Sequence, residues 1–370
     1  MIAPSSDPRW ERLRKSIALE PVDKIPVCLE GVAWCARVLG MPIKEFLSDP
    51  LIATQANIDS FKLVGNADCV NNPSYDLSSL PFLWMTGVKR PGFEVGDDEP
   101  WQVEESGYMT TDDYDRILEM GWPAFQADFL ETRVRAGLLD EFVSFLQKGP
   151  AVIEKVTEAG VPYLCMAIVV QPFESLCGGR TFSQFILDLY RMPDKVDEVM
   201  QSMFVGLNDA AIAGCAAMGA PGVWVGGWRS ASKMLAQPLW DRFVWPYVKE
   251  CVRQVDEAGL IPILHFDSDW TRDLPRLREL PAGKCILSLD SMTDIRQAKE
   301  ILGDHMCIMG DVPPALLSSG TPQQVYEHCK KLVRDIGPTG YILQSGCDIP
   351  VDAPLANVKA MADAADAAAG

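Results

Sequence analysis

Basic side chains are in short supply: 33 Lys and Arg face 51 Asp and Glu, a formal charge of −18. Such a surface repels polyphosphate, so nucleic acid is not an expected partner. Long apolar runs are also missing. No stretch approaches the ~18–20 residues that span a bilayer, and the opening Met1-Ile-Ala-Pro-Ser-Ser-Asp-Pro has neither a basic start nor an apolar segment. No membrane contact is expected, and the cytoplasm is the expected location. No Cys-x-x-Cys pair occurs, which excludes a zinc ribbon. The 11 cysteines are scattered singly through apolar segments and read as buried thiols of a reducing compartment. Neither a GxGxxG turn after a strand nor a GxxxxGK[ST] loop is present, so nothing points to a bound nucleotide. Only 3 histidines exist, and the position of each therefore carries weight.

What is present is an alternation of short apolar runs and amphipathic stretches, in a chain of 370 residues that is long enough for a large core. Trp10, Leu13 and Ile17 fall at helical spacing and predict an opening helix. Strand-like runs then begin at Ile25, Ala67, Val161, Gly222, Ile261, Lys284, His305 and Tyr341. Strands that alternate with helices specify a parallel sheet. Eight of them predict one α/β domain over 1–370, a (β/α)8 TIM barrel with an N-terminal helical extension. The stretch 71–109, rich in Pro, Gly, Asp and aromatics, breaks the alternation and predicts an insertion over the barrel mouth, with a hairpin strand near Trp101-Gln-Val-Glu. Such excursions serve as lids or as passive loops. Gly178-Gly179 and Gly226-Gly227 read as turns.

Reactive groups of a TIM barrel collect at the C-terminal ends of its strands. The polar and aromatic residues expected there are Glu30, Trp228, His265, Asp267, Asp290, Asp311 and Cys347. His265 and Asp267 end the run Ile261-Pro-Ile-Leu-His-Phe-Asp, and Cys347 ends Tyr341-Ile-Leu-Gln-Ser-Gly-Cys. Imidazole, carboxylate and thiolate form a three-ligand zinc set with a fourth position left for substrate or for a neighbouring carboxylate such as Asp290. A thiolate favours zinc over magnesium or calcium. Each residue also has a plainer reading: His265 as a hydrogen-bonded structural group, Asp267 as a helix cap, Cys347 as a packed thiol. His305 and His328 are expected on the surface.

Four segments resemble the uroporphyrinogen decarboxylase superfamily over nearly the whole chain. They are Arg12-Leu-Arg with Pro21-Val-Asp-Lys-Ile-Pro-Val, Leu264-His-Phe-Asp-Ser-Asp, Met309-Gly-Asp-Val-Pro-Pro, and Gly346-Cys-Asp-Ile-Pro with Asn357-Val. The resemblance implies the same barrel. The decarboxylases carry an arginine-rich loop after the first strand to bind propionates, whereas this chain reads Glu30-Gly-Val-Ala-Trp-Cys-Ala there. The chain is more similar to the zinc-dependent corrinoid methyltransferase branch, which reads His-x-Cys and a later Cys. His265 and Cys347 match that pattern and Asp267 replaces a thiolate, which implies a harder, more acidic zinc.

What this resemblance implies is an enzyme that demethylates a small methylated substrate, a methoxyaromatic held by Trp34, Phe173 or Trp228. The methyl passes to cobalamin on a corrinoid-binding partner protein, since the DxHxxG corrinoid motif is absent from this chain. Glu30 or Asp311 is expected to supply or relay a proton. Two further readings stay open: a methylcorrinoid:thiol methyltransferase of the coenzyme M type, and a barrel that binds a small organic acid without turnover. The oligomeric state, homodimer included, is also open.

Overall fold

A computed structural model of the protein describes residues 7–369. The chain enters through the helix Pro8–Ile17, capped by the Asp7 carboxylate, which accepts the Arg9 N–H at 2.9 Å. Strand β1 (Cys28–Leu29) pairs in parallel with β2 (Cys69–Val70). An antiparallel hairpin of β3 (Val88–Lys89) and β4 (Gln102–Val103) lies within the expected insertion. The rest of the sheet comprises β5 (Ile168–Val169), β6 (Gly222–Gly227), β7 (Ile261–Phe266), β8 (Ile286–Leu289), β9 (Cys307–Val312) and β10 (Tyr341–Ser345). These are all parallel and in sequential order.

Two single parallel bridges join the pieces into a ring, Val27 with Leu343 and Val70 with Tyr163. The Leu343 N–H donates to the Pro26 carbonyl and the Val70 N–H to the Pro162 carbonyl, each at 2.9 Å. The (β/α)8 arrangement expected from the sequence is therefore present, with strands β1, β2 and β5 far shorter than their apolar runs. The run from Val161 shows why. Pro162 has no N–H to donate, and Leu164 and Cys165 both donate to the Asn71 carbonyl, which takes the segment out of ladder register.

Side chains alternate across the strands. Ile263, Ile286, Cys307, Met309 and Ile342 face the barrel interior, where Trp10, Leu13 and Ile17 of the first helix pack against them from below. Leu264, Leu287, Ile308 and Leu343 face the surrounding helices. The Arg12 guanidinium ties the first helix to Asp23 and to Asp68, whose other oxygen accepts the Val27 N–H at 2.8 Å.

Three sequence expectations need correction. Gly226 and Gly227 are not a turn but the last residues of β6, where a Cβ on Gly226 would lie 2.5 Å from the Trp228 ring. Gly178 and Gly179 lie inside the helix Pro172–Arg180, where a Cβ on Gly178 would come within 2.0 Å of the Trp84 carbonyl. In both places the missing side chain admits a tryptophan. His305 is not on the surface: it is buried, with Nε2 2.9 Å from the Leu280 carbonyl oxygen, and His328 is half-buried. All 11 cysteines are free; ten are buried and only Cys347 is partly open.

Candidate metal centre

Parallel register brings the ends of β7, β8 and β10 to one rim. His265 pairs with Gly226 on one side and Ser288 on the other, and all face the interior. The ligand atoms of His265, Asp267 and Cys347 lie within 4.8 Å of one another, and Nε2 of His265 is 3.3 Å from an Asp267 oxygen. Nδ1 of His265 is 3.1 Å from the Ser288 hydroxyl, so the ring is held at both nitrogens. Its flat face stacks on Trp224, with ring centroids 4.4 Å apart and planes 7° from parallel.

Acidic groups and a thiol are concentrated round the His265 imidazole. Burial disfavours a charged His265, but its hydrogen bonds with Asp267 and Cys347 outweigh that and lift its pKa well above 6.5. Burial raises the Cys347 thiol to about 11, opposed by its hydrogen bond with His265. Burial also raises Glu30 to about 8, with the Asp348 charge adding to it, and raises Asp348 itself to about 6. Four groups able to bind or balance a metal thus crowd round one imidazole. Soft sulfur, imidazole nitrogen and carboxylate oxygen at these separations suit tetrahedral zinc with one open position.

A cavity of about 220 Å³ is lined by two of the three ligands, His265 and Cys347. Its floor is Glu30, Asn71, Trp224, His265, Cys347 and Asp348; its walls include Tyr75, Trp84, Trp101, Val103 and Trp228. Asp348 is open to the cavity while protein surrounds it. The stretch 71–109 therefore supplies much of the wall. Within it Tyr75 packs on Trp101, centroids 4.9 Å apart, and Trp84 meets the edge of Trp228, also at 4.9 Å.

Of the residues expected at the site, the structure brings together His265, Asp267, Cys347, Glu30 and Trp228. Glu30 accepts a hydrogen bond from the Gln344 amide at 2.7 Å. Asp290 is not part of the cluster of three, although the charges of Asp267 and His265 both act on it. Its two oxygens accept the Ser268 and Met292 N–H groups at 2.7 and 2.9 Å, which fixes the loops after β7 and β8. Three residues lie outside the cavity wall. Trp34 is buried and its Nε1 donates to the Ala353 carbonyl at 2.8 Å. Phe173 is buried edge-on against Phe185, centroids 5.0 Å apart. Asp311 is buried, and burial lifts its carboxyl to about 7, but the charges that act on it are Arg296, Asp294 and Asp290, none of them in the cavity wall. Asp311 thus does not line the cavity.

The sequence reading missed Asp348, Trp224, Tyr75, Trp84 and Trp101. Trp224 lies two residues before Gly226 on the inward face of β6, so strand alternation points to it, whereas Asp348 is marked only by its place next to Cys347, past the end of β10. Nothing in the order of the insertion residues signals which of its aromatics turn inward. Glu174 was also missed as a framework group. Its carboxylate accepts the Trp228, Arg229 and Ser230 N–H groups at 2.9–3.1 Å and the Ser230 hydroxyl at 2.6 Å, and so sets the loop that carries Trp228.

Residues 152–368 match the family described as Uroporphyrinogen decarboxylase (URO-D). The human uroporphyrinogen decarboxylase is 26% identical over 93% of this chain and 90% of its own length. The enzyme of that name from Chlorobium luteolum is 29% identical, over 37% of this chain and only 38% of its own length. Among solved structures, a methyltransferase from Methanosarcina mazei superposes with a TM-score of 0.73 over 99% of both chains at 18% identity, a likeness of fold. No helix among the described residues is long and apolar enough to cross a membrane. The chain belongs to the uroporphyrinogen decarboxylase family.

Proposed function

We propose that the protein is a zinc-dependent methyltransferase that removes the methyl group of a small methoxyaromatic substrate and passes it to cobalt(I) of a separate corrinoid protein. The observation that carries this reading is the cluster of His265, Asp267 and Cys347, two of which, His265 and Cys347, line an aromatic-walled cavity. The methyltransferase of the same fold supports it. Decarboxylation of a porphyrinogen fits poorly. Among the described residues that line the cavity there is no Arg or Lys to receive its carboxylates, and the space of about 220 Å³ is small for a tetrapyrrole.

His265, Asp267 and Cys347 would hold the zinc, with Ser288 and Trp224 fixing the imidazole. Zinc supplies a Lewis acid for the ether oxygen, and a carboxylate ligand in place of a thiolate makes it a harder one. Trp84, Trp101 and Trp228 hold the ring and exclude water. The carbon–oxygen bond breaks with its electron pair kept by oxygen; the methyl goes to cobalt(I), giving methylcobalt(III). Glu30, held protonated by burial near neutral pH and oriented by Gln344, supplies the proton that the departing phenolate oxygen needs.

The test is the cobalt(I) absorbance of a corrinoid partner, followed with methoxyaromatics, methylamines and methyl thiols as donors. Conversion to methylcobalt(III) with a methoxyaromatic is expected. Conversion with methyl thiols alone would move the protein to the thiol-dependent class, and no conversion with any donor would leave only a binding role.

A further inference from the structure

A second cavity, of about 180 Å³, lies against the first. Asn72, Ser74, Tyr75, Leu80 and Ile168 line both, so a single layer of residues parts the two spaces. Tyr75 belongs to this partition; its ring packs on Trp101 of the catalytic wall, centroids 4.9 Å apart, and it is only half-buried. Away from the partition, the second cavity runs between the helix Leu138–Gln147 and the helix Asp209–Met218. Phe142 of the first of these stacks on Phe82 of the insertion, centroids 4.1 Å apart and planes 25° from parallel. Ala210, Ala211 and Gly214 of the second leave the opposite side without bulk, and a Cβ added at Gly214 would meet no neighbouring group within 4 Å.

The chemistry of this second space is apolar. Among the described residues that line it there is no Lys, Arg, His or Glu, and its one carboxylate, Asp76, already accepts the Ser78 N–H at 2.7 Å and the Ser78 hydroxyl. Helix 138–147 is apolar at six of its ten positions, yet Leu138 alone is buried, so the packing of this helix is unfinished. An unfilled apolar space forfeits the contacts its lining atoms could make, and a hydrocarbon group restores them. Apolar cavities of about 150 Å³ are large enough to take benzene, so this one has room for one ring or a short alkyl chain. At its outer end Leu146 is exposed, and the space opens to solvent there.

Resting on the methyl-transfer reading above, we infer that the second cavity is a subsite for an apolar substituent of the substrate, so that the preferred methoxyarene carries a short alkyl chain or a second ring. Transfer requires cobalt and the ether oxygen on opposite sides of the methyl carbon. With the ether oxygen beside His265 and Cys347 and a corrinoid covering the methyl, the far end of the ring needs space that neither takes. The cavity behind Tyr75, Leu80 and Ile168 supplies that space, and the substituent passes the Tyr75 ring to reach it.

Anisole and its 4-alkyl derivatives up to 4-heptylanisole test this by titration calorimetry on the zinc-loaded full chain. Affinity is expected to rise about fourfold per carbon, the gain of a buried methylene, and to level off once the chain passes the exposed Leu146. Gly214→Leu, which places a side chain in the second cavity, should flatten the series, and Ala211→Leu should do the same if the first variant does not fold. Equal affinity for anisole and 4-pentylanisole overturns the inference. So does a gain with chain length that survives in the filled variants, since transfer out of water alone would then explain it. A gain lost on filling, without methylation of cobalt, leaves the subsite standing and overturns the proposed reaction; methylation without any gain does the reverse. No binding by any member of the series overturns both.

Discussion

Trp224 lies flat against His265, 4.4 Å between ring centres and 7° from parallel, on the face of the imidazole that looks across β6. With Ser288 at Nδ1 and Asp267 at Nε2, the ring is fixed in both plane and spin before any metal arrives. A preoriented ligand loses less freedom on binding, and partners of ligating histidines commonly contribute a factor of about 10–100 in metal affinity. Trp224→Ala is therefore expected to weaken zinc by about tenfold in chelator competition, with Trp224→Phe restoring it, because a ring remains to stack. Equal affinities for the alanine variant and the parent would remove the stack from the account.

Ser288→Ala leaves Nδ1 of His265 without its neighbour. We expect faster zinc release and a loss of affinity of about tenfold, with the fold unchanged, since the serine is small and already enclosed. Unchanged zinc release rates would show that Nδ1 needs no partner.

Glu174 holds three successive backbone N–H groups and one hydroxyl in a fully buried position. Glu174→Ala strands all of them, at a cost of about 2–4 kcal/mol in stability, and frees the loop that carries Trp228. The checks are the urea midpoint and the mobility of the Trp228 ring by fluorescence anisotropy. A loop that keeps its anisotropy after the substitution would contradict this role.

Much of the architecture is legible in the sequence because strand–helix alternation is a strong periodic signal. The strand ends at His265 and Cys347 follow from it. The side of an element on which a residue faces is less legible. Trp34 and Phe173 lie near strand ends, yet helical rotation turns both into the helix-packing core, and β9 presents Asp311 to charges outside the cavity. His305 looked like a turn residue beside Gly303 and Asp304, but the Leu280 carbonyl draws it inside. The aromatic wall comes from an insertion without periodicity, where only the tertiary fold decides that Tyr75, Trp84 and Trp101 meet.

Asp311 gives a prediction in pH. Burial raises its folded carboxyl to about 7, above the ~3.9 of an unfolded chain. As pH rises through that interval the unfolded chain ionises first, so the native state loses stability, and the loss is complete above the folded value. Asp311→Asn removes this penalty. Relative to the parent, the variant should gain on the order of 2–4 kcal/mol between pH 4 and pH 8, measured by urea unfolding. A stability difference that does not change with pH would refute the assignment.

The central claim is that His265, Asp267 and Cys347 hold one metal ion. Elemental analysis of the purified protein, set beside the His265→Ala and Cys347→Ala variants, tests it most directly. The account predicts one zinc per chain in the parent and a large loss in both variants, with circular dichroism unchanged. A parent without stoichiometric zinc, or variants that retain it in full, would contradict it.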